Sequence, residues 1–239
     1  MSRTLSEAES KKLLESHGVQ FLPEELVSGP DEAAAAAQRL GFPVVAKLCG
    51  DNIAHKTERG LVRLGLNSAE AVSAATRELL DAAVPGDSAL GVLVAPMVDG
   101  DRELIAGANR DAQFGPTVLV GVGGVLAEAI EDVAVRLAPI TPLDAREMVE
   151  QLGAQRLLGE FRGEPPVDVD VLVGILMALS AAVTEPLPDG SLIASVDLNP
   201  LIVHRGRPVP VDALVELADP GPGTAAGASG AATSGGGRR

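Results

Sequence analysis

The densest group of polar side chains is the segment KLCGDNIAHKT, residues 47–57, which follows an apolar run. Lys47 closes the run VVAK, where an ammonium group on a flexible stem suits contact with phosphate oxygens. The chain has only four lysines against fifteen arginines, and two of the four, Lys47 and Lys56, lie in this segment. The segment therefore predicts a phosphate contact, although a lysine that extends from a strand end into solvent would give the same pattern.

His55 lies in the same segment, next to Lys56. A neutral imidazole can accept a phosphoryl group and pass it on, or it can act as a base. A hydrogen-bonded loop histidine is the alternative. The other two histidines, His17 and His204, are expected at the ends of a helix and of a strand, and neither is assigned a role.

A second candidate site lies in SVDLNPLIVHRGRPVPVDA, residues 195–213. Asp197 and Asn199 are two apart on an expected strand, so their side chains point to one face. Pro200 is expected to end that strand, and Asp212 is expected to end the next one alongside. Two oxygen ligands suit a Mg²⁺ ion held mainly by water and nucleotide phosphate. A turn built on Asp and Asn is the alternative.

A third candidate is the run GVGG, residues 121–124, at the end of an apolar strand. Glycine-rich turns after strands can approach phosphates, but most of them are tight bends. The run matches neither the dinucleotide-binding pattern nor the Walker pattern.

The elements that must position these residues alternate between helix and strand in the first part of the chain. Pro30 is typical of a helix start, and Asn67 with Glu70 has the spacing of a capping box. Helices are expected at residues 5–16, at 30–40 and after Asn67, and strands at residues 44–48, 61–66 and 90–98. This part therefore has the order β-α-β-β-α-β, which is typical of a split α/β sandwich lobe.

The second part of the chain has a different order. Strands are expected at residues 102–110, 117–122 and 133–140, joined by short turns, which predicts a largely antiparallel sheet. Two helices follow, one opened by Thr141 and Pro142 and one by Asp168. Closing strands are expected at residues 191–199, 201–204 and 209–213. The predicted fold is α+β, with two α+β lobes and a cleft between them.

The chain is expected to divide into an N-terminal helix at residues 1–18, a first lobe at 19–98, a second lobe at 99–218 and a tail at 219–239. The tail consists mainly of Gly, Ala, Ser, Thr and Pro. Because it lacks apolar periodicity, burial cannot offset the entropy lost on ordering, and we expect it to be disordered.

Composition argues against several classes of partner. The formal net charge is −14, and Trp and Tyr are absent. Nucleic acid and anionic membranes are therefore not expected as partners, since both need clustered Lys and Arg. The single cysteine, Cys49, excludes an internal disulfide framework and fits a reducing compartment. No signal peptide or membrane span is expected, so the predicted location is the cytoplasm.

The order of these segments resembles that of a known family. The likeness is carried by GFPVVAKL, DNIAHKTERGLVRLGL, VLVAPMVDGDRELIAGANRDAQFGP, GVGGVLAEAIEDVAVRLAPIT, FRGEPP, and VDLNPLIV with PVDA. Over about residues 5–218 the chain resembles the ATP-grasp domain of ADP-forming acyl-CoA (acetate–CoA) synthetases. The resemblance implies an ATP-grasp fold in which two α+β lobes clamp ATP and Mg²⁺ between them.

The resemblance also implies which residues bind the nucleotide. Lys47 corresponds to the lysine that contacts the phosphates, with Lys56 beside it among the nucleotide-binding residues. Glu103 of the second lobe is expected to face the nucleotide. The backbone of residues 94–98 is expected against the adenine, with contacts from Val94, Pro96, Met97 and Val98.

The remaining implied roles concern catalysis and the metal. His55 corresponds to a histidine that relays the phosphoryl group, so His55 and Lys47 are the expected catalytic residues. Asp197 and Asn199 correspond to Mg²⁺ ligands. Two positions depart from the family pattern. Leu61 stands where a second glycine usually follows Gly60, and Ser195 replaces a frequent glutamate, which removes one carboxylate.

The implied reaction is acyl-CoA plus ADP and phosphate giving acid, CoA and ATP, reversibly. The sequence lacks evident CoA-binding and ligase domains, so we expect a separate CoA-binding α subunit as partner in a hetero-oligomer, bringing the carboxylic acid and CoA. Two alternatives stay open. One is a stand-alone ATP-grasp carboxylate ligase that works through an acyl phosphate, and the other is a degenerate nucleotide-binding regulatory subunit.

Overall fold

The computed structural model describes residues 3–53, 56–124 and 132–218, which form two β-sheets with helices. Every strand pairing within these residues is antiparallel, and the α+β class is confirmed. The smaller sheet has the order β2-β5-β3-β4 and carries two helices. Its elements are β2 (Glu25–Val27), α2 (Pro30–Leu40), β3 (Val44–Gly50), β4 (Val62–Leu66), α3 (Ala69–Asp81), a 3-10 turn (Pro85–Asp87) and β5 (Ala89–Pro96).

The larger sheet has the order β1-β11-β9-β6-β7-β8, with β10 paired to β9. Its strands are β1 (Arg3–Thr4), β6 (Glu103–Asp111), β7 (Gly115–Val122), β8 (Val133–Leu137), β9 (Ile193–His204), β10 (Arg207–Pro210) and β11 (Leu214–Leu217). Its helices are α1 (Glu7–Ser16), α4 (Pro142–Gln151), α5 (Gln155–Leu158) and α6 (Val169–Thr184). No helix of the described ranges is both long and apolar enough to cross a bilayer.

The smaller sheet and its helices have the predicted order β-α-β-β-α-β. Three alanines of α2, at 33, 36 and 37, are fully buried, so this helix packs closely on the sheet. The expected start of α3 at Asn67 is wrong. The hydroxyl of Ser68 caps the helix by accepting a hydrogen bond from the Ala71 N–H at 3.2 Å, while the Asn67 amide donates to Gly65 O.

The strand that carries Lys47 is longer than predicted. β3 continues to Gly50, so Lys47 is the fourth of seven strand residues and does not close the strand. It pairs with Val62 of β4 on one side and Leu93 of β5 on the other. The lysine side chain is therefore held by a rigid central strand. The alternative, a lysine that extends into solvent from a strand end, does not explain its position.

The N-terminal segment packs with the larger sheet. β1 pairs with β11, and Leu5, Leu14 and Val19 belong to the same apolar core as α4 and α6. Helix α1 is also fixed by Ser10, whose hydroxyl accepts a hydrogen bond from the Val215 N–H at 3.1 Å. The division of the chain at residues 18, 98 and 218 stays a prediction, and the expected tail at 219–239 lies outside the described residues.

The sequence suggested that the strand carrying Asp197 ends at Pro200, and this prediction is wrong. β9 runs through that residue to His204. Ala106 of β6 pairs with Leu198 and Leu104 pairs with Leu201, so β9 contains one extra residue here, a β-bulge. The alternation of buried and exposed residues along β9 shifts by one residue across the bulge. Leu198 is buried before the bulge and Leu201 is buried after it. The strand thus keeps its apolar side chains in the core while Asp197 remains exposed.

The connection between the two sheets requires a glycine at position 100. A Cβ atom at Gly100 would lie 2.5 Å from Val203 O and 2.7 Å from Ile202 Cγ2. We expect Gly100→Ala to lower the free energy of unfolding by about 1–3 kcal/mol because it overpacks this crossing. Gly174→Ala is the control, since the exposed Gly174 of α6 has no atom within 4 Å of a built Cβ.

That control should raise the free energy of unfolding by about 0.5–1 kcal/mol, the usual gain for Gly to Ala in a helix. Urea unfolding of both variants measures the two changes. Equal effects of the two substitutions would contradict the tight crossing at Gly100.

Candidate functional site

The two sheets meet around a buried carboxylate, that of Glu7 in the first turn of α1. Its side chain is 1% exposed. Oε1 lies 2.8 Å from Nζ of Lys11 and 2.8 Å from Nζ of Lys47, and Oε2 lies 2.9 Å from Nζ of Lys56. Three of the four lysines of the chain therefore converge on one carboxylate. We call Glu7 and these three residues the lysine cluster.

Each lysine of the cluster has a second partner. Lys56 contacts Asp212 Oδ1 at 3.0 Å, Lys47 donates to Val211 O at 2.6 Å, and Lys11 donates to Glu24 Oε2. With Glu24 and Asp212 included, the group holds three ammonium and three carboxyl groups. Val211 and Asp212 lie in the connection from β10 to β11. The prediction that Asp212 ends a strand is therefore wrong. The cluster thus joins α1, the smaller sheet and this connection of the larger sheet.

The electrostatics of the cluster favour the charged forms at its centre. Burial raises the pKa of the Glu7 carboxyl, but the three ammonium groups lower it by more, so its pKa lies well below the usual range. Burial lowers the pKa of Lys56, but the carboxylates of Glu7 and Asp212 raise it above its ordinary value. The pKa of Lys11 is raised in the same way by Glu7 and Glu24, against the effect of burial. Glu7 is therefore an anion held by cations.

The outer carboxyls behave differently from Glu7. Burial raises the pKa of Glu24, and its lysine neighbours reverse this only in part. The pKa of Asp212 is also raised, first by burial and then by the nearby charge of Glu7. Of the three carboxyl groups, these two lose their charge more easily than Glu7 does.

The local sequence explains why Glu7 and Lys11 point the same way. Ser6 caps α1 by accepting from the Glu9 N–H at 3.3 Å, and the Glu9 carboxylate accepts from the Ser6 N–H at 3.3 Å. The cap fixes the start of the helix, so Glu7 and Lys11, four residues apart, share one face. That face is turned to β3 and carries Glu7 to Lys47.

A mainly apolar cavity of about 250 Å³ lies on one side of the cluster, between the two sheets. We call it the apolar cavity. Val45 and Leu64 of the smaller sheet line it together with Ile202 of β9. The other lining residues are Lys11, Leu22, Glu24, Lys47, Ala95, Pro96, Met97, Val98, Gly100, Glu103, Pro210 and Val211. Five of the predicted nucleotide-binding residues meet here, namely Lys47, Pro96, Met97, Val98 and Glu103.

Val94 is the predicted adenine contact that the structure does not bring to this cavity. Its side chain is fully buried in the core of the smaller sheet. Its backbone lies between Ala46 of β3 and Glu25 of β2, in the middle of the sheet. The strand reaches the cavity only at Ala95, after which the Met97 N–H donates to Pro43 O at 3.0 Å.

A second cavity of about 260 Å³ lies on the other side of the cluster and is more polar. We call it the polar cavity. It brings together Lys56, Asp197, Asn199 and Asp212, which the sequence placed in two separate segments. The other lining residues are Ile53, Thr57, Glu58, Pro200, Ala213 and Leu214. The described part of the chain contains no group of three or more His, Cys, Asp and Glu arranged to hold a metal.

His55 lies outside the described residues, so its predicted role stays a prediction. Its described neighbours Ile53 and Lys56 both line the polar cavity. The run at residues 121–124 ends beside Glu103, with the Gly123 N–H donating to Glu103 O at 2.8 Å. Residues 125–131, which follow it, also lie outside the described residues.

The two departures from the family pattern have structural counterparts. Leu61 is 2% exposed in the core of the smaller sheet, and its N–H donates to Lys56 O at 2.8 Å. Gly60, with φ at +66°, retains the left-handed backbone that favours glycine. Ser195 donates to Glu216 Oε2 at 3.1 Å, so β11 supplies a carboxylate beside the position where the family often has a glutamate.

The central residue, Glu7, was missed from the sequence, as were its neighbours Lys11 and Glu24. An acid in the first turn of a helix usually interacts with the helix dipole, and a Glu–Lys pair four residues apart usually lies on the surface. The scarcity of lysine in the chain was the sequence feature that indicated an interior position for these lysines.

Comparison with known proteins assigns the family. A family model described as an ATP-grasp domain matches residues 1–217, so the chain belongs to the ATP-grasp family. It is 37% identical over 202 residues to the β subunit of ADP-forming acetate–CoA ligase II of Pyrococcus furiosus, covering 83% of this chain and 84% of that subunit. It is also 37% identical over 207 residues to ADP-forming acetate–CoA ligase I of Archaeoglobus fulgidus, covering 86% of this chain but 30% of that longer protein.

The fold is similar to that of acetyl-coenzyme A synthetase 1 of Ca. Korarchaeum cryptofilum. Its structure with coenzyme A and Ca-AMPCP matches with a TM-score of 0.83 and 36% identity, over 90% of this chain and 94% of that one. A structure with coenzyme A and Mg-AMPPCP, whose phosphohistidine segment points towards the nucleotide-binding site, matches with a TM-score of 0.74 and 34% identity over 89% and 92%. The ATP-grasp fold predicted from the sequence is confirmed.

The lysine cluster should make the stability of the protein sensitive to alkaline pH. The pKa values of Lys11 and Lys56 are raised from 10.5 in the folded state, so their contribution is complete below that pH and is lost as the pH rises through the folded values. We expect the free energy of unfolding to fall as the pH rises from 10.5 towards about 12. Denaturant unfolding across this range measures it, with the exposed Lys12 as control.

In Lys56→Met the slope with pH should become shallower, whereas Lys12→Met should keep the wild-type slope. A Lys56→Met protein with an unchanged alkaline slope would contradict the charge-stabilised state of Lys56.

Proposed function

We propose that this chain is the nucleotide-binding and phosphoryl-transferring β subunit of an ADP-forming acyl-CoA synthetase of the acetate–CoA type. The observation that carries the proposal is the pair of cavities, one apolar and lined by Lys47, one polar and lined by Lys56, with both lysines paired to Glu7 of α1. The names and coverage of the relatives support the choice within the ATP-grasp family.

The apolar cavity is the proposed site of the nucleotide base. Its aliphatic walls from Val45 and Ile202 suit the faces of a purine, and the backbone at residues 95–98 suits its polar edge. Lys47 lines this cavity and Lys56 lines the polar cavity. Phosphates that pass from one cavity to the other would meet both ammonium groups, which would neutralise charge on a transferring phosphoryl group.

The polar cavity is the proposed site of Mg²⁺. The carboxylate of Asp197 and the amide oxygen of Asn199 line it, with Asp212 alongside. This donor set fits an ion that takes one or two carboxylates and completes its coordination with phosphate and water. Bound there, Mg²⁺ would supply further neutralisation of phosphate charge.

His55 is the proposed relay residue for the phosphoryl group. In the ATP-forming direction the P–N bond of phosphohistidine breaks as a terminal oxygen of ADP bonds to phosphorus, which returns the imidazole to its neutral form. The acid and CoA would bind a separate α subunit, where acyl-CoA, phosphate and the imidazole of His55 would give phosphohistidine with release of the acid and CoA. The described neighbours of His55 border the polar cavity, which supports transfer at that place.

Nucleotide binding is the first consequence to test. Mg-ATP at about 100 times its dissociation constant should stabilise the folded protein by roughly 2.7 kcal/mol, and a thermal shift measures this. Lys47→Met should reduce the shift, while Lys12→Met, which alters an exposed lysine of α1, should keep it. Mg-GTP in parallel defines the base preference. If neither nucleotide shifts the melting temperature even with the α subunit present, the proposal fails.

The relay role of His55 separates a synthetase subunit from a stand-alone carboxylate ligase. Wild-type protein incubated with ATP labelled in its γ-phosphate should acquire an acid-labile label, and His55→Ala should not, although it should still bind Mg-ATP. His17→Ala is the matched control, because His17 ends α1 away from both cavities. Full acyl-CoA synthetase activity of His55→Ala with the α subunit would contradict the relay.

A further inference from the structure

Glu7 is buried behind both cavities and lines neither of them. Its two carboxylate oxygens are nevertheless divided between them. Oε1 holds Lys47 and Lys11, which line the apolar cavity, and Oε2 holds Lys56, which lines the polar cavity. One side chain therefore fixes the cations of both cavities relative to each other.

The contacts of each lysine leave it able to bind a ligand. An ammonium group has three N–H donors. Within the described residues Lys47 contacts Glu7 and Val211, and Lys56 contacts Glu7 and Asp212. At least one donor of each ammonium group thus has no acceptor in this part of the chain, and each lysine borders a cavity. The protein partners fix where the nitrogen lies without using its last donor.

This arrangement needs the negative charge of Glu7 as well as the shape of its side chain. Lys47 and Lys11 share one carboxylate oxygen, so their ammonium groups are close to each other. Without the negative charge they would repel each other and turn away from the buried position. A glutamine in place of Glu7 would also present an NH₂ group to one of the lysines, which a carboxylate does not.

From these contacts we propose that Glu7 is a positioning residue for nucleotide phosphates, acting through Lys47 and Lys56. This inference rests on the proposed function, since it assumes that the two lysines meet phosphates. Glu7 itself touches no substrate. Its effect on nucleotide binding should therefore be smaller when Lys47 is absent, because only the contact with Lys56 then remains.

The test is a double-mutant cycle of Glu7→Gln and Lys47→Met, read as the dissociation constant of Mg-ATP by calorimetry well below the melting temperature. Glu7→Gln should weaken binding by about tenfold or more, the usual size of a lost charge-assisted contact. Because Glu7 acts partly through Lys47, the double variant should lose less affinity than the product of the two single losses. A purely structural role would lower the melting temperature and leave the dissociation constant of the folded protein unchanged.

Glu9→Gln is the matched control. It removes the same charge from the same helical turn, keeps the capping box with Ser6 and makes no contact with the three lysines in the described structure. It should bind Mg-ATP as the wild type does. If Glu7→Gln does not fold, the charge-balanced variant Glu7→Gln/Lys11→Met takes its place, with Lys11→Met as its reference.

The outcomes separate the inference from the proposed function. Wild-type affinity in Glu7→Gln, or losses from Glu7→Gln and Lys47→Met that multiply in the double variant, would overturn the positioning role while leaving a nucleotide site intact. A wild-type protein that binds no Mg-ATP, alone or with the α subunit, would overturn the proposed function and the positioning role with it.

Discussion

A carboxylate removed from water needs cations and hydrogen-bond donors around it, and the burial of Glu7 imposes this requirement where the two sheets meet. The cations come from α1 itself, from β3, and from the segment after β3. Loss of one partner of such a group typically costs about 3–5 kcal/mol, because the remaining charge stays buried. The relative placement of the two sheets and the charge at the cleft therefore depend on the same contacts.

The rest of the fold delivers residues to this centre. The N-terminal segment pairs with β11 of the larger sheet, so α1 is anchored on that sheet while its Glu7 reaches Lys47 of the smaller sheet. The bulge in β9 at Asn199 keeps the core continuous and leaves Asp197 exposed in the polar cavity. The close crossing at Gly100 brings the end of β5 against β9, and so forms the wall of the apolar cavity.

Local signals in the sequence were sufficient for most of the order of helices and strands, since apolar periodicity and caps such as that of Asp168 depend on neighbouring residues. Family resemblance brought Lys47 and Asp197 into the site, and both lie at cavities. Contacts between distant segments were not predictable in this way. Pro200 is usually a strand breaker, but a bulge accommodates it, and Glu7 looks like an ordinary first-turn acid until Lys47 and Lys56 are placed beside it.

The most direct test is a crystal structure of the protein with Mg²⁺ and a non-hydrolysable ATP analogue. The lysine cluster predicts phosphate oxygens within hydrogen-bond distance of Nζ of Lys47 and Nζ of Lys56, with both lysines still paired to Glu7. Phosphates bound away from the cluster, or lysines that leave Glu7 in order to reach them, would contradict the claim that Glu7 positions them.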